Sequence, residues 1–211
     1  MAQTFAIAKA TPTISWSNPA DIGYGTGLSG TQLNASGTVA GNFVYAPAAG
    51  MVLNAGAGQT LTVNFTPTDT ANYNNASATV VINVSKATPA LTWSNPADII
   101  YGTPLGSTQL NATANVAGSF AYTPATGTIL NGGGGQTLSV GFTPTDAANY
   151  NNASASVLIN VAKGNQTISW SNPAPIVYGT PLSATQLNAI VSISGPAPAG
   201  ALIYYYTKLH S

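Results

Sequence analysis

Few side chains in this chain of 211 residues could carry catalytic or metal chemistry. There are four lysines, four aspartates and one histidine, with no cysteine, glutamate or arginine. His210 is the penultimate residue, and the serines lie in polar stretches with no neighbouring base, so a nucleophile and its general base cannot be assembled. Asp21, Asp69, Asp98 and Asp146 are too dispersed for calcium, which wants several oxygens close together; Asp69 and Asp146 read instead as caps of the tight turns beside them. The glycine-rich runs GAGQ (from Gly56) and GGGGQ (from Gly132) lack the lysine and following helix of a phosphate cradle, and read as turns before a strand. Asn34, Asn75, Asn111 and Asn152 each head an N-x-S/T triplet, as expected in a chain so rich in Asn, Ser and Thr; glycosylation there requires export. The inventory excludes an enzyme and calls for no cofactor and no metal.

The elements that hold these residues repeat. SWSNPADIGYGTGLSGTQLNA starts at Ser15, TWSNPADIIYGTPLGSTQLNA at Thr92 and SWSNPAPIVYGTPLSATQLNA at Ser169. Trp16, Trp93 and Trp170 follow one another at steps of 77 residues, and Lys9, Lys86 and Lys163 keep the same step. A fixed period of this kind means a tandem array of one module. The sequence divides into an isolated N-terminal strand (residues 1–8), two full modules (9–85 and 86–162) and a partial third (163–211). A module this small buries only about 60–65 % of its unfolded surface, so contact with its neighbour should matter for stability.

Only 4 % of residues are charged and the net charge is zero. Repulsion between copies is therefore nearly absent, which favours association. Nucleic acid and anionic membrane surfaces both require dense Lys/Arg and are excluded as partners. No apolar run reaches the length of a membrane span, and MAQTFAIAK has neither the basic nor the long apolar part of a signal peptide. With no cysteine, the modules must rest on core packing alone.

Short runs of Val, Ile, Thr, Tyr and Phe between Gly, Pro, Asn and Ser clusters give an all-β pattern without helix signals. Strands are expected at Thr13–Trp16, Thr31–Ser36 and Asn42–Ala46, with short edges at Ile22–Tyr24 and Met51–Leu53. Leu61, Val63 and Phe65 share one face of a longer strand; Val80, Ile82 and Val84 share one face of the next, and Leu138, Val140, Phe142 and Val157, Ile159, Val161 repeat the pattern. Six or seven strands per module imply two packed sheets. Tyr73 and Tyr150, at the corner between the long strands, are expected to return their hydroxyls to the backbone. The linker lysines are expected to keep the junctions solvated and to guard a strand edge.

The W-S-N-P-A-x-I-x-Y-G-T-x-L-x-x-T-Q-L-N-A opening, the G-Q-T-L-x-V-x-F-T-P-T-D middle and the A-N-Y-N-x-A-S-A end resemble the bacterial Ig-like repeats, nearest the group-3 type found in tandem in large surface and secreted proteins. The resemblance implies tandem immunoglobulin-like β-sandwiches used as a stalk, spacer or adhesive unit, at the cell surface or outside the cell. It supplies no catalytic residues to transfer.

The third copy follows the others to about Ala189, after which GALIYYY stands where the second module has GSFAYTP, so a third strand is expected there. A half module exposes its apolar face and leaves edges unpaired. Thr4–Lys9 (TFAIAK) aligns with the strands ending at Lys86 and Lys163. Two functions follow. One is a semi-rigid spacer whose partners are further repeats of its own chain. The other is a self-associating filament subunit, in which Thr4, Phe5, Ala6, Ile7 and Ala8 add as a donor strand to the third module of the next copy, near Ile203, Tyr204, Tyr205 and Tyr206. A glycan or host-protein ligand has no residue signature here.

Overall fold

The computed structural model describes every residue except 1, 2, 4, 194, 197–200 and 206–211. The described chain is all-β, with no helix. It divides into two compact units, one formed by Met1–Ala90, Ala114–Ser119 and Phe142–Ala153, the other by Leu91–Thr113, Phe120–Gly141 and Ser154–Ser211.

In the first unit, β1 (Ile14–Ser15) pairs antiparallel with β3 (Ser36–Gly37). A four-stranded sheet is ordered β2 (Ile22–Gly23), β6 (Ala76–Ser85), β5 (Gly56–Pro67), β4 (Gly41–Ala46). The two long strands form because their residues alternate: Leu61, Val63 and Phe65 of β5 and Val80, Ile82 and Val84 of β6 are buried, while the residues between them face outward. Register follows from that alternation, with Leu61 opposite Val80 and Phe65 opposite Ala76. The short β2 runs parallel to β6, Ile22 beside Val84. The core lies where Leu61, Val80 and Ile82 meet Leu28, Leu33 and the half-buried Trp16, Tyr45 and Leu53.

The second repeat uses the same plan: β7 (Leu91–Thr92) with β9 (Thr113–Ala114), and a sheet ordered β10 (Gly118–Thr123), β11 (Gly133–Pro144), β12 (Ala153–Ala162), β8 (Ile99–Ile100). Leu138, Val157, Ile159 and Val161 pack with Ile99, Leu105, Leu110 and Leu130 in the core of the second unit. The third repeat contributes β13 (Gln166–Ser169) paired with β14 (Ile190–Ile193).

Four expectations change. Thr31–Ser36 is not a strand: Gln32 and Leu33 sit in a turn closed on the Ser29 carbonyl, and pairing begins only at Ser36. Met51–Leu53 contributes a single bridge, Val52 to Gly27. The glycine-rich runs belong to β5 and β11 rather than preceding them. In β5 the run forms a bulge between Gly56 and Gln59, and Gly58 there, like Gly135 in β11, takes positive φ and donates its N–H to a side chain, Asn83 or Asn160, both at 2.8 Å. GALIYYY adds no strand over residues 201–205.

Gly41 and Gly118 sit where the core ring of Phe65 or Phe142 and the next carbonyl oxygen, of Thr66 or Thr143, would overlap any Cβ. Gly41→Ala and Gly118→Ala are expected to cost about 2–3 kcal/mol each through overpacking. At about 4–8 °C per kcal/mol for a domain of this size, calorimetry should show Tm falling by about 10 °C or more.

Candidate functional site

The most elaborate polar structure is the corner that joins β5 to β6 and β11 to β12, together with the linker it holds. In the first corner the Asp69 carboxylate accepts the N–H groups of Ala71 and Asn72 (both 3.1 Å) and the Asn72 side-chain N–H (2.8 Å). These bonds, the Asn72 side chain first, hold the Asp69 carboxyl below the ordinary aspartate range, with Lys9 adding a smaller charge contribution. The linker is clipped to this corner. Lys9 Nζ donates to the Thr70 carbonyl (2.7 Å), the Ala10 N–H to the Asn72 carbonyl (2.9 Å), and the Asn74 N–H back to the Ala10 carbonyl (2.8 Å).

The second corner repeats this pattern with Lys86 on Ala147 (2.6 Å), Ala87 on Asn149 (3.0 Å) and Asn151 on Ala87 (2.8 Å). It also does something the first does not. Asn149 accepts the Ala55 N–H at 2.7 Å, donates to Asn54 Oδ1 at 3.4 Å, and is buried; Tyr150 meets Tyr24 edge-on, ring centroids 5.3 Å apart. All of these residues belong to the first unit, so inside it the second repeat's corner is bonded to the first repeat. Asn72, in Asn149's place one period earlier, is exposed.

Lys9 and Lys86 stay exposed, as expected of linker lysines, and also clip the linker to its corner. Tyr73 and Tyr150 return a backbone N–H to Asp69 and Asp146 (both 3.1 Å), and among the described residues no hydrogen bond of their hydroxyls is recorded. Other tyrosines bind backbone through the hydroxyl: Tyr101 donates to the Pro196 carbonyl at 3.4 Å, and three more act as acceptors. Tyr45, Tyr122 and Tyr204 accept the N–H groups of Ala35 (2.9 Å), Ala112 (2.9 Å) and Ala189 (3.1 Å). Each ring also packs edge-on against Trp16, Trp93 or Trp170, whose indole N–H donates to the carbonyl of Gln32, Gln109 or Gln186. The common W…Q spacing was the available signal for this cluster. Nothing in the sequence separated the reach of Asn149 from the exposure of Asn72.

Phe5, Ala6, Ile7 and Ala8 are exposed and lie outside the strands. Ile203 and Tyr205 are exposed, while Tyr204 is half-buried against Trp170. Thr4 and Tyr206 lie outside the described residues. Asp21 and Asp98 each accept a bond from Asn83 or Asn160 (both 3.0 Å), and among the described residues no three His, Cys, Asp or Glu side chains gather as a metal set. No described helix is long and apolar enough to cross a membrane. Compared with known proteins, the chain matches no family model and none of the curated proteins.

Two outcomes follow. Asn149→Ala leaves the Ala55 N–H without its acceptor and should cost about 1–3 kcal/mol in thermal unfolding, whereas Asn72→Ala, with no bond to another repeat, should cost clearly less. Because the folded Asp69 carboxyl is depressed, its contribution to stability is present above the unfolded aspartate value and disappears as pH falls through the lower folded one. NMR titration should place the Asp69 midpoint below that of an ordinary aspartate, and Asn72→Ala should move it upward.

Proposed function

We propose that the chain is a structural protein, a tandem array of immunoglobulin-like β-sandwich modules serving as a stalk or spacer of a bacterial surface or secreted protein. The clipped linker carries this reading. In a flexible string of beads the linker would be free, but here Lys86, Ala87 and Asn151 fasten it to the second corner, and Asn149 fastens that corner to Ala55. Such bonds transmit orientation from one repeat to the next, which a spacer requires and a tethered enzyme domain does not. The motif resemblance supports the same reading, as does a surface in which carboxamides and hydroxyls stand where charges are usual. Extracellular or surface placement is part of the proposal.

Single-molecule stretching tests it. An array of autonomous sandwiches should unfold in discrete events, each releasing on the order of 230 Å of chain for a module of 77 residues. One continuous extension without such steps would sink the reading. Asn149→Ala should leave the step length unchanged but lower the stability coupling between neighbouring repeats.

A further inference from the structure

In the third repeat the described residues leave part of the apolar face exposed. Its Trp170–Tyr204–Gln186 cluster is the same as in the other repeats, with the indole bond at 3.0 Å and ring centroids at 5.3 Å. Yet Leu182 is 53 % exposed where its counterparts Leu28 and Leu105 are 2 % and 1 % exposed. Ile176, counterpart of the buried Ile99, is 44 % exposed, and Val177 and Tyr178 beside it are more exposed still. The other two repeats show what covers this face. Beside Ile22 runs β6, and beside Ile99 runs β12, each parallel and in one register: Ile22 with Val84, Ile99 with Val161.

The segment Phe5–Ala8 carries the pattern of that covering strand. One period before Ile82 and Val84, which are 1 % and 4 % exposed, stand Phe5 and Ile7, both 84 % exposed. A second observation fits this segment to the third repeat in particular. In the complete repeats the covering strand carries a polar residue, Asn83 or Asn160, whose amide donates to Asp21 or Asp98 at 3.0 Å. The third repeat has Pro175 in place of that aspartate, and the segment has Ala6 in place of that asparagine. Both partners are changed together, so the pairing strands no carboxamide; an Asn-bearing strand would face Pro175 without an acceptor.

We propose that residues Phe5–Ala8 of one copy add as a parallel strand to the third repeat of a second copy, with Ile7 beside Ile176 and Phe5 turned toward Leu182. Tyr178 N–H then donates to the incoming Ala8 carbonyl, as Tyr24 and Tyr101 donate to Ser85 and Ala162, both at 2.8 Å. The contact is heterologous, so copies add head to tail. The inference rests on the repeat-array reading, since the register is taken from the repeats.

The test uses the full chain and two variants, Ile7→Asp and Ile176→Asp. Light scattering over a concentration series should show growing mass for the parent, and at least a tenfold loss of association for each variant alone. An equimolar mixture of the two variants should form dimers and stop there, because each supplies one intact half of the contact. A parent that stays monomeric, variants that associate like the parent, or a mixture that does not pair each overturn the proposal. As an independent register check, Ile7→Cys mixed with Ile176→Cys should form an intermolecular disulfide faster than with Ile190→Cys, which places its thiol on the exposed β14 instead; the chain has no other cysteine to compete. Equal rates also overturn it. Stepwise unfolding under force in a parent that does not associate would leave the array standing and remove only the docking.

Discussion

The packing of two long antiparallel strands against the tryptophan-bearing opening of each repeat is the constraint on which the other contacts depend. The third repeat isolates its effect. There the indole–carbonyl bond, the edge-on tyrosine and the carboxamide turn of Gln186 with Ser183 are all in place, so local chemistry alone builds that cluster. What is lost without counterparts of β5 and β6 over it is burial: Trp170 and Leu182 are about half exposed. Hydrogen bonds of this kind contribute about 1 kcal/mol each, whereas enclosing a leucine contributes roughly 1.5–3 kcal/mol. The cluster orients the opening segment; the long strands supply most of the free energy that keeps it there.

A chain with so little charge must make its specific long-range connections with carboxamides. Gln32 accepts from Ser29 and fixes the turn that presents Leu33 to the core. Asn83 joins Asp21 to the Gly58 bulge, and Asn18 takes the outer N–H of Val81 on the strand that would otherwise end the sheet. An amide is donor and acceptor at once, so one side chain can bridge two backbone segments without the desolvation cost of burying an ion. Such a network is nearly indifferent to salt. The carboxamides themselves carry no ionisable group.

Strand alternation was the most legible property of the sequence, and the fold follows it closely: Leu61, Val63, Phe65, Val80, Ile82 and Val84 are buried as their period-2 spacing requires. The failures share a physical cause. Thr31–Ser36 has strand-like composition, but Gln32 can bond locally to Ser29, and that turn outcompetes extension. The glycine-rich run looked like a turn because glycine weakens strands; the Asn83 side chain that holds its bulge is distant in sequence and could not be foreseen. The corner tyrosine was assigned its hydroxyl bond by analogy, while Tyr45, placed opposite Ala35 only by tertiary packing, makes such a bond. The corner itself, including the turn-capping role of Asp69, could be read from its residues.

The repeat period makes the same residue act differently with its surroundings. Asn72 and Asn149 occupy equivalent positions in corners that differ at Thr70 and Ala147, and each donates its side-chain N–H to the aspartate three residues before it. Only Asn149 has Ala55 within reach, and only Asn149 is buried. The corner is thus complete as a local structure before any neighbour arrives, with its outward amide oxygen already positioned. Rigid preorganisation of this kind lowers the entropy lost when two repeats meet, because the side chain that bridges them is already held by its own aspartate. Asp69 and Asp146 therefore do more than cap a turn: by fixing the carboxamide they set the geometry with which one repeat can address another.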